Sequence, residues 1–180
     1  NNLYKKKFNP NTLVDLGCGY NFLLSKKYVR DFDEIFLLDV SINQSEASKF
    51  KNVNVLLGDI HKTLLSIEEN SIGFLYANNI IEHLDNPIQV LKLIKRIVSK
   101  DSLIYISVPS WIGKTVLEFF AFVLKIAPIE EMQDHKAYYN KKELWTLLVN
   151  SGYEPGSIKI KRDKFGMTTT ATILNDQRIR

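Results

Sequence analysis

Short, nearly continuous apolar runs alternate along this chain with segments whose apolar residues recur at helical spacing. The runs predict strands at Leu13–Leu16, Ile35–Val40, Val53–Leu57, Ile72–Ala77 and Leu103–Val108. Between them the pattern predicts helices at Phe22–Arg30, Gln44–Phe50, Thr63–Ile67 and Pro87–Val98. In the last of these, Ile88, Leu91, Ile94 or Ile97, and Val98 mark one face, with Lys92, Lys95 and Arg96 opposite. That is the period of an amphipathic helix. Pro87 suits a first helical turn, and Asp85 or Asn86 before it can cap the free amides. Runs such as IFLLDV and LIYISV lack the in-out alternation of a sheet wet on one face. With helices between them they predict parallel βαβ units covered on both sides.

Beyond Pro109 the pattern changes. An apolar helix over Thr115–Lys125 is followed by an acidic turn and a helix over Lys141–Ser151, stopped by Gly152. Strand-like runs at Ser157–Lys161 and Thr168–Leu174 close the chain, and the RDKFGM between them has the composition of a hairpin turn. No repeat, low-complexity tract or linker interrupts the chain, so one domain over 1–180 is expected, its core in 12–174 and a lid or inserted helix within 111–135. The Thr115–Lys125 stretch is greasier than a solvent-facing helix. Burial against the sheet, a homodimer contact through 115–125 and a lid over an apolar acceptor all fit it.

Composition narrows the class without naming a chemistry. An apolar fraction of 45% and a charged fraction of 24% in 180 residues are ordinary for a globular domain that buries its own core. A single cysteine, Cys18, excludes an intramolecular disulfide framework and fits a cytoplasmic location. The net charge of +4 permits anionic partners without arguing for them. Lys5–Lys7 and Lys159–Lys164 read as solvated charge, and nucleic-acid binding through them would require a steep salt dependence. The longest apolar segment, TVLEFFAFVLKIAP, is interrupted by Glu118 and Lys125 and falls short of the ~20 residues that cross a bilayer, so no transmembrane segment is expected. No apolar core follows the Lys5–Lys7 cluster to make a leader. What precedes residue 1 stays open.

The candidate chemistry sits at the strand ends. In TLVDLGCGYNFLL the first strand runs into Asp15 and the loop Gly17-Cys18-Gly19, where glycines let backbone approach a ligand and the next helix offers free N–H groups. Asp15 is placed to brace the loop amides. Asp39 closes the second strand about 20 residues on, where a carboxylate can accept both hydroxyls of a ribose. Asp59 closes the third, facing the amino group of an adenine, with Val40 and Ile60 as apolar walls. A helix cap or surface acid is the plain alternative for Asp39, and the cap of the next helix for Asp59. A dinucleotide fingerprint wants a third glycine where Phe22 stands, and no Walker lysine follows Gly19.

In order and spacing, VDLGCGYN, FLLDVS, LLGDI, NNIIEHLDNP and SLIYISVPS resemble the motif series of class I S-adenosylmethionine-dependent methyltransferases. More narrowly they resemble the small-molecule, type 11-like group with a Glu-His signature after the fourth strand. The resemblance spans Thr12 to about Leu174 and implies a Rossmann-like seven-stranded α/β sheet of order 3-2-1-4-5-7-6, the last strand antiparallel, with helices on both faces. It further implies S-adenosylmethionine as cofactor, S-adenosylhomocysteine as product and a small or lipid-linked acceptor, methylated at oxygen. By resemblance Gly17 and Gly19 line the methionine part, Asp39 the ribose, Asp59 and Ile60 the adenine, and Asn78 the exit of the fourth strand. Asn21 stands where the family usually has its third glycine, and asparagine tolerates left-handed backbone. A cofactor-binding module without turnover is the competing class.

A sulfonium methyl is already activated, so proximity and orientation carry most of the transfer, and a base is needed only for an acceptor that loses a proton. His83, at the mouth of the site, and His135, in QDHKAYYN, are the catalytic candidates; each also reads as a structural turn residue. His61 reads as a surface residue at a helix start. Glu82, His83 and His135 also match three of four metal ligands in small-RNA 2′-O-methyltransferases of this fold. Asn79 replaces the fourth, a poor ligand for a hard cation, so no metal is expected.

Overall fold

Strand β1, Thr12–Leu16, is buried along its whole length. Leu13 faces a cluster containing Phe22, Phe32, Leu37 and Phe74, whereas Val14 and Leu16 face one containing Leu38, Leu75, Leu91, Ile94 and Ile106. A strand covered on both faces has no polar side to offer, which is why its run lacks alternation. The computed structural model describes residues 8–118 and 136–175.

Around β1 lie β2 (Glu34–Asp39), β3 (Val53–Leu57), β4 (Ile72–Asn78) and β5 (Val98–Pro109), followed in the chain by β6 (Ile158–Asp163) and β7 (Thr168–Leu174). Their spatial order is β3-β2-β1-β4-β5-β7-β6. Neighbouring pairs from β3 through β5 are parallel, and β7 runs antiparallel to both β5 and β6. The expected Rossmann-like order is therefore observed. In register, Asp15 lies beside both Leu37 and Tyr76, which aligns the ends of β1, β2 and β4 along one edge.

The helices are α1 (Leu23–Tyr28), α2 (Gln44–Ala47), α3 (Ile60–Leu65), α4 (Pro87–Ile97), α5 (Trp111–Glu118) and α6 (Lys141–Asn150). In α4 Asn86 accepts from the Gln89 amide, Pro87 opens the first turn, and Val90, Leu91, Ile94 and Ile97 are buried. Each such side chain removed from water contributes about 1.5–3 kcal/mol. Val98, expected to end α4, starts β5 by pairing with Ile72 instead. Helix α3 begins three residues earlier than its periodicity predicts, because Asp59 caps it there. The expected Thr115–Lys125 helix is α5 up to Glu118, starting at Trp111; residues 119–125 of the homodimer or lid stretch lie outside the described residues. Among the described residues, no helix is long and apolar enough to cross a membrane.

Candidate functional site

The C-terminal ends of β1 to β4 open into two adjoining hollows with Gly17 on the wall of each. One, of about 280 Å³, is bordered by Asp39, Val40, Gly58, Asp59 and Ile60 on one side, and by Ile80, His83 and Leu84 on the other. The second, of about 330 Å³, is bordered by Asp15, Cys18, Gly19, Asn21, Tyr76 and Asn78. All nine residues expected to hold a cofactor, Asp15, Gly17, Cys18, Gly19, Asp39, Val40, Asp59, Ile60 and Asn78, thus line one hollow or the other. His83 joins the first; His135 lies outside the described residues.

The loop is hooked onto β2. The Gly17 and Cys18 amides donate to the Leu38 carbonyl at 2.8 and 3.3 Å. Gly17 has φ +68°, and a Cβ on it would stand 2.9 Å from Ile80. Gly19 has φ +69°, but a Cβ there would meet nothing within 4 Å; its amide donates to Asp39 Oδ2 at 2.7 Å. The Ser41 amide donates to Asp39 Oδ1 at 3.2 Å. A carboxylate has about four acceptor sites, so this one still has capacity for two hydroxyls. Open space thus lies beside Gly19, next to an acceptor-rich carboxylate.

Asp15, expected to brace the loop amides, does not do so; Asp39 does. Buried under the loop, Asp15 Oδ2 accepts from the Ser25 hydroxyl of α1 at 2.6 Å. Burial pushes its carboxyl up to about 6, against the stabilising pull of Ser25. Burial, followed by the Asp15 and Asp39 carboxylates, also pushes the Cys18 thiol well up, so it stays protonated and is no nucleophile. Asp59 is the α3 cap, its Oδ1 accepting the His61 and Lys62 amides at 3.1 and 3.2 Å, and the residue also lines the first hollow.

The missing glycine is absorbed at a different residue from the one expected. Asn21 is not left-handed; Phe22 is, with φ 35° and ψ 47°, immediately before α1. Its ring is almost fully buried against β1 and β4 side chains, and that burial holds a backbone a phenylalanine would otherwise avoid.

After β4, a single helical turn over Ile81–His83 sets His83, half-buried, on the hollow wall and turns Glu82 inward. The Glu82 carbonyl accepts the Lys136 and Ala137 amides at 2.9 and 3.3 Å, and burial raises its fully buried carboxyl to about 7. His61 corrects the sequence reading: rather than a surface residue it is half-buried on the first hollow, its Nδ1 buried without a hydrogen-bond partner. Ile80 and Tyr76 were also missed. An apolar residue in the polar turn NNIIEHL was the signal for Ile80; Tyr76 needed the pairing of β4 with β1 to place it beside Asp15. Among the described residues, no group of three or more His, Cys, Asp or Glu could hold a metal ion.

The sequence model of a family described as "Methyltransferase domain" matches residues 14–106. No curated protein matches the chain. Among solved structures, the plantazolicin methyltransferase BamL, in complex with a triazolic desmethylPZN analog and SAH, superposes with a TM-score of 0.69 at 17% identity, covering 96% of this chain and 81% of its own. A SAM dependent methyltransferase from Aquifex aeolicus gives 0.66 at 19%, covering 95% and 84%. One from Archaeoglobus fulgidus gives 0.65 at 16%, covering 93% and 87%.

Proposed function

Because the chain belongs to the methyltransferase domain family, we propose that it holds S-adenosylmethionine across the two hollows and methylates a small or lipid-linked acceptor at oxygen. The observation that carries this reading is the junction at Gly17, which lines both hollows and leaves no room for a side chain beside Ile80. In this reading Gly17, Cys18 and Gly19, with Asp15 beneath and Asn78 opposite, hold the methionine part. Asp39 accepts the ribose hydroxyls, and Asp59, Val40 and Ile60 hold the base. When bound, the cofactor supplies a methyl group already activated on sulfur.

The chain's own task is then to hold an acceptor oxygen in line and to receive its proton. His83 is a titratable side chain on the wall of the first hollow, and a neutral imidazole is a competent base near neutral pH. Positioning supplies most of the acceleration for an activated methyl.

Calorimetric titration with S-adenosylhomocysteine tests the binding half. Transfer of labelled methyl into hydroxyl-bearing compounds, with organic and aqueous extracts counted separately, tests the acceptor. Tight product binding with no label in either extract would reduce the chain to a binding module.

A further inference from the structure

At the end of β5 and the start of β7, outside both hollows, the first turn of α5 is locked to the tip of the terminal hairpin. Ser110 donates its amide to the Met167 carbonyl at 2.9 Å and its hydroxyl to that of Gly166 at 2.5 Å. A Cβ on Gly113 would stand 2.3 Å from the Met167 oxygen, so α5 approaches as closely as only glycine permits. A Cβ on Gly166 would lie 3.4 Å from Ile112 Cδ1, which places the Ile112 side chain at the tip.

Large apolar side chains project around this joint. Phe165 is fully exposed, Trp111 is 49% exposed and Ile112 47%. Phe165 has φ 58° and follows Lys164 at φ 50°. A turn of this kind favours glycine or asparagine, so neither backbone preference nor burial explains an aromatic ring here. The exposed cations Lys164 and Arg162 flank it. On the other side, exposed Lys141 and Lys142 open α6, whose Glu143 accepts from the Trp111 indole at 3.3 Å. Among the described residues, the neighbouring acids are engaged: Glu143 closes the capping box with Asn140, and Asp163 pairs with Lys161 at 3.1 Å.

We propose that this tip docks on the surface of an anionic lipid bilayer, with Phe165 and Ile112 entering the headgroup boundary, Trp111 at its level and the lysines on the headgroups. A projecting apolar tip ringed by cations fits that surface: tryptophan and phenylalanine partition at the boundary, and each nearby lysine adds attraction to anionic lipid. A protein interface would instead deplete lysine around its apolar centre. The tip stands on the same edge of the sheet as the hollows, so docking turns them toward the membrane. For its purpose, though not its physics, the proposal rests on the lipid-linked arm of the acceptor reading.

Co-sedimentation of the full chain with phosphatidylcholine vesicles, with and without phosphatidylglycerol, tests it. Binding is expected only with phosphatidylglycerol present, and is expected to fall as salt is raised. Phe165→Ser with Ile112→Ser should lower partitioning roughly tenfold or more. Lys164→Glu should lower it about fivefold or more, and neither change should alter affinity for S-adenosylhomocysteine. Sedimentation with neither vesicle, or equal sedimentation of wild type and both variants, would overturn the proposal. So would a dimer in velocity sedimentation that Phe165→Ser dissolves, since the tip would then face a second copy. Product titration reports the cofactor reading alone, so each can fail without the other.

Discussion

The amide of Gly19 donates to Asp39 Oδ2 at 2.7 Å, across 20 residues of sequence. One hydrogen bond thereby fixes the glycine loop of β1 to the end of β2 and orients the carboxylate that also accepts from Ser41. In the proposed reading, loop geometry and ribose recognition rest on the same carboxylate, and removing it should cost both.

Asp39→Ala is expected to weaken S-adenosylhomocysteine and S-adenosylmethionine alike, by about 1.5–3 kcal/mol, the range for hydrogen bonds to a charged group. Isothermal calorimetry of both ligands measures it. Unchanged affinity would remove Asp39 from the site.

Gly17 and Gly19 share a left-handed backbone but not their surroundings. Gly17→Ala drives a methyl against Ile80 and should lower the unfolding free energy by more than the ~1–2 kcal/mol that left-handed strain alone costs. Gly19→Ala meets open space, so its stability loss should stay within that range while its methyl intrudes on the ligand and lowers affinity. Denaturant melts paired with product titration separate the two, and equal stability losses would contradict the Ile80 contact.

The left-handed residue before α1 is Phe22 and not Asn21. Asn21→Gly should therefore leave both stability and product affinity nearly unchanged. Phe22→Gly relieves ~1–2 kcal/mol of strain but forfeits a buried aromatic side chain worth about 3–5 kcal/mol, a net destabilisation visible as a lower urea midpoint. A more stable Phe22→Gly protein would show that the ring is not what holds the turn.

Burial raises the Glu82 carboxyl from 4.5 to about 7. The folded chain thus binds this proton more tightly than the unfolded one between those values. Its contribution is full below 4.5 and lost as pH rises through 7, at most about 3 kcal/mol. Asp15, raised to about 6, acts in the same direction at lower pH. Urea midpoints should fall between about pH 5 and about pH 8, and Glu82→Gln should flatten the part of that fall above pH 6. An unchanged slope in the variant would sink this assignment.

His83→Gln should lower kcat for a hydroxyl acceptor by about 10²–10⁴, the range for a lost general base, and leave product affinity intact. A fall in affinity with kcat preserved would instead make His83 a wall of the binding hollow.

Much of this molecule was legible in the linear chain. Unalternating runs such as IFLLDV can persist only between two apolar layers, so parallel units and helix cover followed from local composition, whereas the strand order came only with the resemblance to class I methyltransferases. Asp39 and Asp59 were legible because a carboxylate closing such a run must emerge at the sheet edge. What the chain did not disclose depends on groups far apart in sequence. Whether Asn21 or Phe22 turned left-handed was decided by the buried space waiting for a phenyl ring beside Leu13 and Phe74. Whether Asp15 or Asp39 held the loop was decided by Ser25, which arrives on α1 to take the first. His61 came to border the hollow because its neighbour Asp59 capped α3 early and turned the helix start toward the strand ends. Sequence periodicity fixes which face of an element is apolar; only the packed layers decide which polar atom on that element finds a partner, because that partner is supplied by another segment.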